Sequence, residues 1–141
     1  MKLLYLIMFI CMASSCGGVK GSDEYLEYEE IEVAYLSNLE KWNEFSIENY
    51  SFDYSQSWYC NYDDERKVTQ VVEANEVINV NGYTMEDIFQ LIANKIELQA
   101  YKLEVSYDEV YGFPLSIDFD GSRTIDDDEW CIVISNFEAG V

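Results

Sequence analysis

The chain has 141 residues, 28 acidic against 8 basic, a formal charge of -20, no histidine, one proline and four cysteines. One domain is expected at this length, and a hydrophobic fraction of 49% with 16% aromatics excludes a disordered chain despite the charge. The acidic balance excludes a phosphate-binding surface and hence a nucleic-acid partner, and zero histidine excludes Ser-His-Asp and Cys-His catalysis and every imidazole metal ligand.

Lys2 precedes an apolar run over residues 3–12, too short for the roughly 20 residues that cross a bilayer and suited to the core of a signal peptide. Ala13, Ser14 and Ser15 lead into Cys16, which resembles the lipobox of bacterial lipoproteins, with Ala13 standing where leucine is usual. The resemblance implies a signal peptide over residues 1–15, lipidation at Cys16, and a tether over 16–22 whose glycines and serine keep it pliable. An ordinary secretory signal cut nearby is the competing reading. The expected location is the cell envelope, the outer membrane in a Gram-negative source, with membrane contact through the lipid anchor alone.

Residues 23–141 form the expected domain. No proline or glycine interrupts 23–46, and Tyr28, Ile31, Tyr35, Leu39 and Trp42 recur at three- and four-residue steps, predicting an amphipathic helix with an acid-loaded start. Tyr50, Phe52, Tyr54, Trp58 and Cys60 recur at even spacing and predict a strand over 49–60; the β-branched runs 67–72 and 77–80 about Ala74 and Asn75 predict a hairpin. Thr84 with Asp87 makes a variant capping box for a second helix, with Met85, Ile88, Phe89, Ile92 and Ile96 as its apolar stripe. Alternation then predicts strands at 102–107, 115–119 and 130–134. The order αβββαβββ predicts an α+β fold, an antiparallel sheet of about six strands with both helices on one face.

The run from Thr84 to Phe137 carries Tyr107-Asp108, Tyr111-Gly112-Phe113-Pro114, Ile117-Asp118 and Asp127-Asp128-Glu129 in that order, and Trp42 followed by residues 49–52 precedes it. These motifs resemble the bacterial family known as domain of unknown function 6174, over about residues 38–138. The resemblance implies secreted or lipid-anchored proteins and carries no activity with it. Cys131 departs from what it implies for that strand.

With Cys11 removed and Cys16 lipidated, Cys60 and Cys131 are left as the disulfide candidates of an oxidising compartment, two separate buried thiols being the alternative. Residues 118–129 echo a calcium loop, with Asp118, Asp120, Asp126 and Glu129 at positions 1, 3, 9 and 12. Arg123 holds the place of the sharp-turn glycine and strands flank the loop, so a solvated turn competes, and any calcium affinity is expected on the order of millimolar. Trp58, Tyr59, Tyr62, Tyr111, Phe113 and Trp130 could form an aromatic platform or fill a core. No catalytic residues are expected. The leading expectation is a non-catalytic envelope lipoprotein that binds or supports an envelope protein or a glycan. An acidic inhibitor of a cationic secreted enzyme and a weak calcium-binding envelope protein are its alternatives.

Overall fold

The computed structural model describes residues 22–58, 60, 66–122, 124–125 and 128–140, with backbone alone for 22–27. Residues 16–21 of the expected tether, Cys16 among them, and Tyr59, Tyr62 and Asp126 lie outside the described residues, while Ser22, expected as the tether's last residue, already belongs to the first helix.

Helix α1 (Ser22–Phe45) turns Ile31, Tyr35, Leu39 and Trp42 toward one stripe, as their spacing requires. It stops where Ser46 enters the left-handed region at φ 49° and its N–H returns to the Asn43 carbonyl at 3.2 Å. Helix α2 (Met85–Glu97) starts at Thr84, whose hydroxyl accepts from the Asp87 N–H while the Asp87 carboxylate accepts from the Thr84 N–H, the capping box read in the sequence. Its buried stripe is Met85, Ile88, Phe89 and Ile92.

The strands are β1 (Tyr50–Trp58), β2 (Val68–Glu73), β3 (Glu76–Val77), β4 (Lys102–Tyr107), β5 (Pro114–Asp120) and β6 (Trp130–Ala139). They form one antiparallel sheet in the order β3-β2-β1-β6-β5-β4. Two three-stranded meanders therefore meet through their first and last strands, so the halves are not equivalent and the αβββ symmetry is one of order only. Tyr50, Phe52 and Tyr54 of β1, Ile132 and Ile134 of β6, Ile117 of β5 and Leu103 of β4 share a single buried cluster with the stripes of both helices. Both helices thus cover one face. The other face carries Asp53, Ser55, Ser116, Asp118, Val133 and Ser135, short side chains that leave no second layer to build.

Three boundaries differ from the sequence reading, each for a visible reason. Strand β3 is two residues long instead of reaching residue 80. Beyond Val77 only the Ile78 N–H still bonds to Val71, and the Asn79 amide then accepts from the Val71 N–H at 2.9 Å and donates to the Thr69 carbonyl at 2.8 Å, replacing a strand with a side chain. Strand β1 ends at Trp58 because Cys60 already has φ 48° in a turn. Strand β6 runs past Ile134 to Ala139 because a bulge at Asn136, φ 51°, adds one residue and returns Phe137 to the core side.

Candidate functional site

The turn between β4 and β5 holds the most specific motif of the sequence, and its geometry is structural. Asp108 accepts from the backbone N–H groups of Val110 and Tyr111 at 3.0 and 2.6 Å, while its own N–H donates to Phe113. Gly112 has φ 81°, and a Cβ there would stand 2.5 Å from the Asn38 carbonyl of α1. Lys41 of α1 donates to the Glu109 carbonyl at 3.2 Å. Phe113 and Tyr111 pack with Phe137, and Phe113 also meets Trp42, so these two aromatics fill the core at one end of the sheet and belong to no platform.

At the opposite end, the distal parts of β1, β5 and β6 present two different surfaces. On the helix-covered side, Trp58 and Trp130 are register partners across β1 and β6, with Trp58 60% exposed. Trp130 packs on Phe119 with ring centroids 5.0 Å apart, and the Lys95 ammonium lies 4.0 Å above Phe119 and 5.5 Å from Trp130. A cleft of about 620 Å³ opens there, lined by Gln56, Tyr83, Asp87, Gln90, Asn94 and Trp130 among others. Gln56 accepts from the Tyr54 hydroxyl at 2.9 Å, and Gln90 donates to Asn94 at 3.1 Å, which pre-orients three of the amides. Of the four candidate platform aromatics among the described residues, Trp58 and Trp130 are neighbours at this end of the sheet, and Tyr111 and Phe113 pack together in the core at the other. The signal that would have found this cleft is the polar spacing of Asp87, Gln90 and Asn94 along α2, three and four residues apart beside the apolar stripe.

On the open side of the same strand ends lies the cysteine pair. Cys60 and Cys131 form a disulfide with a Cα separation of 5.0 Å, tying the turn after β1 to β6. The separate-thiol alternative falls. The link closes a loop across 71 positions, worth on the order of 2–4 kcal/mol. Cys131 is 2% exposed, whereas Cys60 is half-buried.

Asp118 comes to the same point from β5, opposite Cys131 in register. Its Oδ1 lies 2.8 Å from Cys60 Sγ and in contact with Cys131 Sγ. Its Oδ2 faces Lys102 Nζ at 3.5 Å, and Lys102 reaches Glu104 at the same distance. Burial of Lys102 works against its charge, but the Asp118 and Glu104 carboxylates outweigh it and raise its pKa above the ordinary lysine value.

Asp118, Asp120 and Glu129 share a cleft of about 260 Å³ with Cys60 and Lys102. Three of the four expected calcium ligands therefore gather, and Asp126 lies outside the described residues. Asp118 is engaged by the sulfurs and Lys102, and Asp120 Oδ1 accepts from the Ser122 N–H at 3.0 Å as a turn cap. Asp128 Oδ1 is buried with no hydrogen-bond partner among the described residues. A cation entering here meets the Lys102 ammonium as a competitor, which opposes a calcium site built from these carboxylates alone.

The chain belongs to the domain of unknown function 6174 family. The family's model, described as a family of unknown function, matches residues 34–139, from the middle of α1 to the end of β6. The motif resemblance is thereby confirmed over slightly more of the chain than the motifs themselves covered. Comparison with curated proteins and with solved structures gives no match.

Proposed function

We propose that this family member is a bacterial envelope lipoprotein, anchored through Cys16 and residues 16–22, whose folded domain is a non-catalytic binding domain. Its binding surface is the cleft between α2 and the ends of β1 and β6, and its ligand is a neutral glycan chain of the envelope. The observation that carries this reading is the lining: Trp130 and Tyr83 supply flat apolar faces, and Gln56, Gln90 and Asn94 supply planar amides. Sugars bind by stacking their C–H faces on aromatic rings while amides satisfy paired hydroxyls as both donor and acceptor. Lys95 and Asp87 put one charge of each sign on the lining, and Lys95 is also held over the Phe119 ring, so the cleft has no net formal charge to select an ionic ligand.

The test is calorimetry and array binding of the purified domain with envelope glycan fragments, beside Trp130→Ala and Gln90→Ala. Binding that falls about 10-fold or more in each variant supports the reading, each change removing roughly 1.5 kcal/mol of contact. Affinity for no glycan, together with salt-sensitive binding of a cationic enzyme such as lysozyme, would replace it with an inhibitor steered by the net charge of -20.

A further inference from the structure

The sulfurs of Cys60 and Cys131 and one carboxylate oxygen of Asp118 lie within 4.8 Å of one another. As a disulfide the sulfurs hold no proton to share, and Asp118 Oδ1 lies beside both of them. We infer that reduction of this disulfide converts the cluster into a zinc site, with Cys60, Cys131 and Asp118 as protein ligands and water as the fourth. This inference stands apart from the glycan cleft, which lies on the other face of the same strands.

The chemistry balances with a dithiol as reductant. The external dithiol gives two electrons and two protons to the Cys60–Cys131 bond, becomes a disulfide itself, and leaves two thiols. Zn²⁺ then displaces those two protons, and two thiolates and one carboxylate coordinate it. A tetrahedral ion with Zn–S near 2.3 Å needs sulfurs roughly 3.7 Å apart. Two cysteines with Cα atoms 5.0 Å apart reach that separation by side-chain rotation, without moving β6.

Several features fit an ion here. Asp118 divides its oxygens, Oδ1 toward the sulfurs and Oδ2 toward Lys102, so a second partner already fixes the ligand's direction. Cys131 and Asp118 sit on paired strands, a rigid base for two of the three ligands, and Cys60 follows the end of β1. The cleft of about 260 Å³ over Cys60 and Asp118 is an entry path for the ion and its water, where the Asp120 and Glu129 carboxylates offset the Lys102 ammonium that also lines it. The disulfide thus acts as a gate: oxidised, the cleft offers hard carboxylates only; reduced, it offers soft ligands that select zinc over calcium.

The experiment uses the full chain with Cys11 and Cys16 replaced by serine, so that only Cys60 and Cys131 report. Zinc is titrated anaerobically against a chromophoric chelator into the oxidised and the reduced protein, with circular dichroism recorded beside each. The expected result is about 100-fold tighter zinc binding after reduction, and about 10-fold weakening in Asp118→Asn. X-ray absorption at the zinc edge is expected to show two sulfur and two lighter neighbours, a readout that needs no variant. Equal affinity in both redox states, a reduced chain that loses its folded spectrum before zinc is added, or a zinc shell with no sulfur would each overturn the inference.

Discussion

The indole of Trp42 in α1 donates to Glu86 of α2 over 3.1 Å, and the other oxygen of that carboxylate accepts from the Tyr50 hydroxyl of β1 at 3.3 Å. The Tyr50 oxygen in turn accepts the Met85 N–H at 2.8 Å, one of the free donors of the α2 N-terminus. A single carboxylate near a helix start therefore ties both helices to the central sheet, in a place where the helix dipole also favours its charge. Glu86→Ala is expected to lower unfolding free energy by about 1–2 kcal/mol in urea titrations, because two donors lose their partner. Glu86→Gln, which keeps one acceptor oxygen, is expected to lose less.

Gly112 is expected to tolerate no side chain. Its φ of 81° strains an L-residue, and the added Cβ would stand 2.5 Å from a backbone carbonyl of α1, which cannot swing aside. Gly112→Ala should cost about 2–3 kcal/mol in thermal or chemical unfolding, while the same change at Gly140, at φ 78° with open space around it, should cost only about 1 kcal/mol.

Burial raises the phenol pKa of Tyr50, Tyr54 and Tyr107 well above the ordinary 10.0. For Tyr50 the Met85 N–H pulls the other way and Glu86 adds to the rise; for Tyr54 and Tyr107 the neighbours Tyr83 and Tyr35 add to it. The unfolded chain ionises these phenols first, so the stability they contribute is complete below 10.0 and falls as pH rises toward the folded values. The share of the phenolate absorbance that belongs to these three tyrosines should therefore appear together with loss of the folded spectrum. The Tyr107 hydroxyl is buried without a hydrogen-bond partner among the described residues, so Tyr107→Phe should be neutral or stabilising by up to about 1 kcal/mol.

Hydrogen bonds from Thr69 at 2.7 Å and Asn136 at 2.7 Å hold the Asp53 carboxyl below its ordinary value of 3.8, against a small opposing effect of burial and with some help from Lys67. A depressed folded pKa means that this contribution is present above 3.8 and lost as pH falls through the folded value. Asp53→Asn should flatten the acid limb of stability against pH below about 4, read by denaturant midpoints, relative to the parent protein.

On the proposed anchor at Cys16, Cys16→Ser should abolish fatty-acid labelling and reduce membrane association, since the apolar run over residues 3–12 is too short to span a bilayer. Detergent partitioning with a labelled fatty acid measures both. Unchanged partitioning and labelling would return the N-terminus to an ordinary secretory signal.

Elements whose signals are local can be read directly from the order of residues. Ile31, Tyr35, Leu39 and Trp42 at helical steps, Thr84 with Asp87 at a cap, and Leu103-Val105-Tyr107 at strand period each depend on neighbours within a turn or two, so periodicity and capping chemistry suffice. The antiparallel α+β class followed, because short turns leave consecutive strands little choice but to pair. The place of β6 between β1 and β5 pairs strands from opposite ends of the domain, which no local period encodes. That placement sets Ser57 beside Cys131, Trp58 beside Trp130 and Asp118 opposite Cys131. The disulfide was legible as a candidate pair, because two cysteines were left for the domain, whereas the tryptophan pair and the Asp118 cluster were legible as residues and illegible as sites. The long-range pairing that assembles them is selected by burial of the whole inward face, which is a property of the folded chain and of no segment within it.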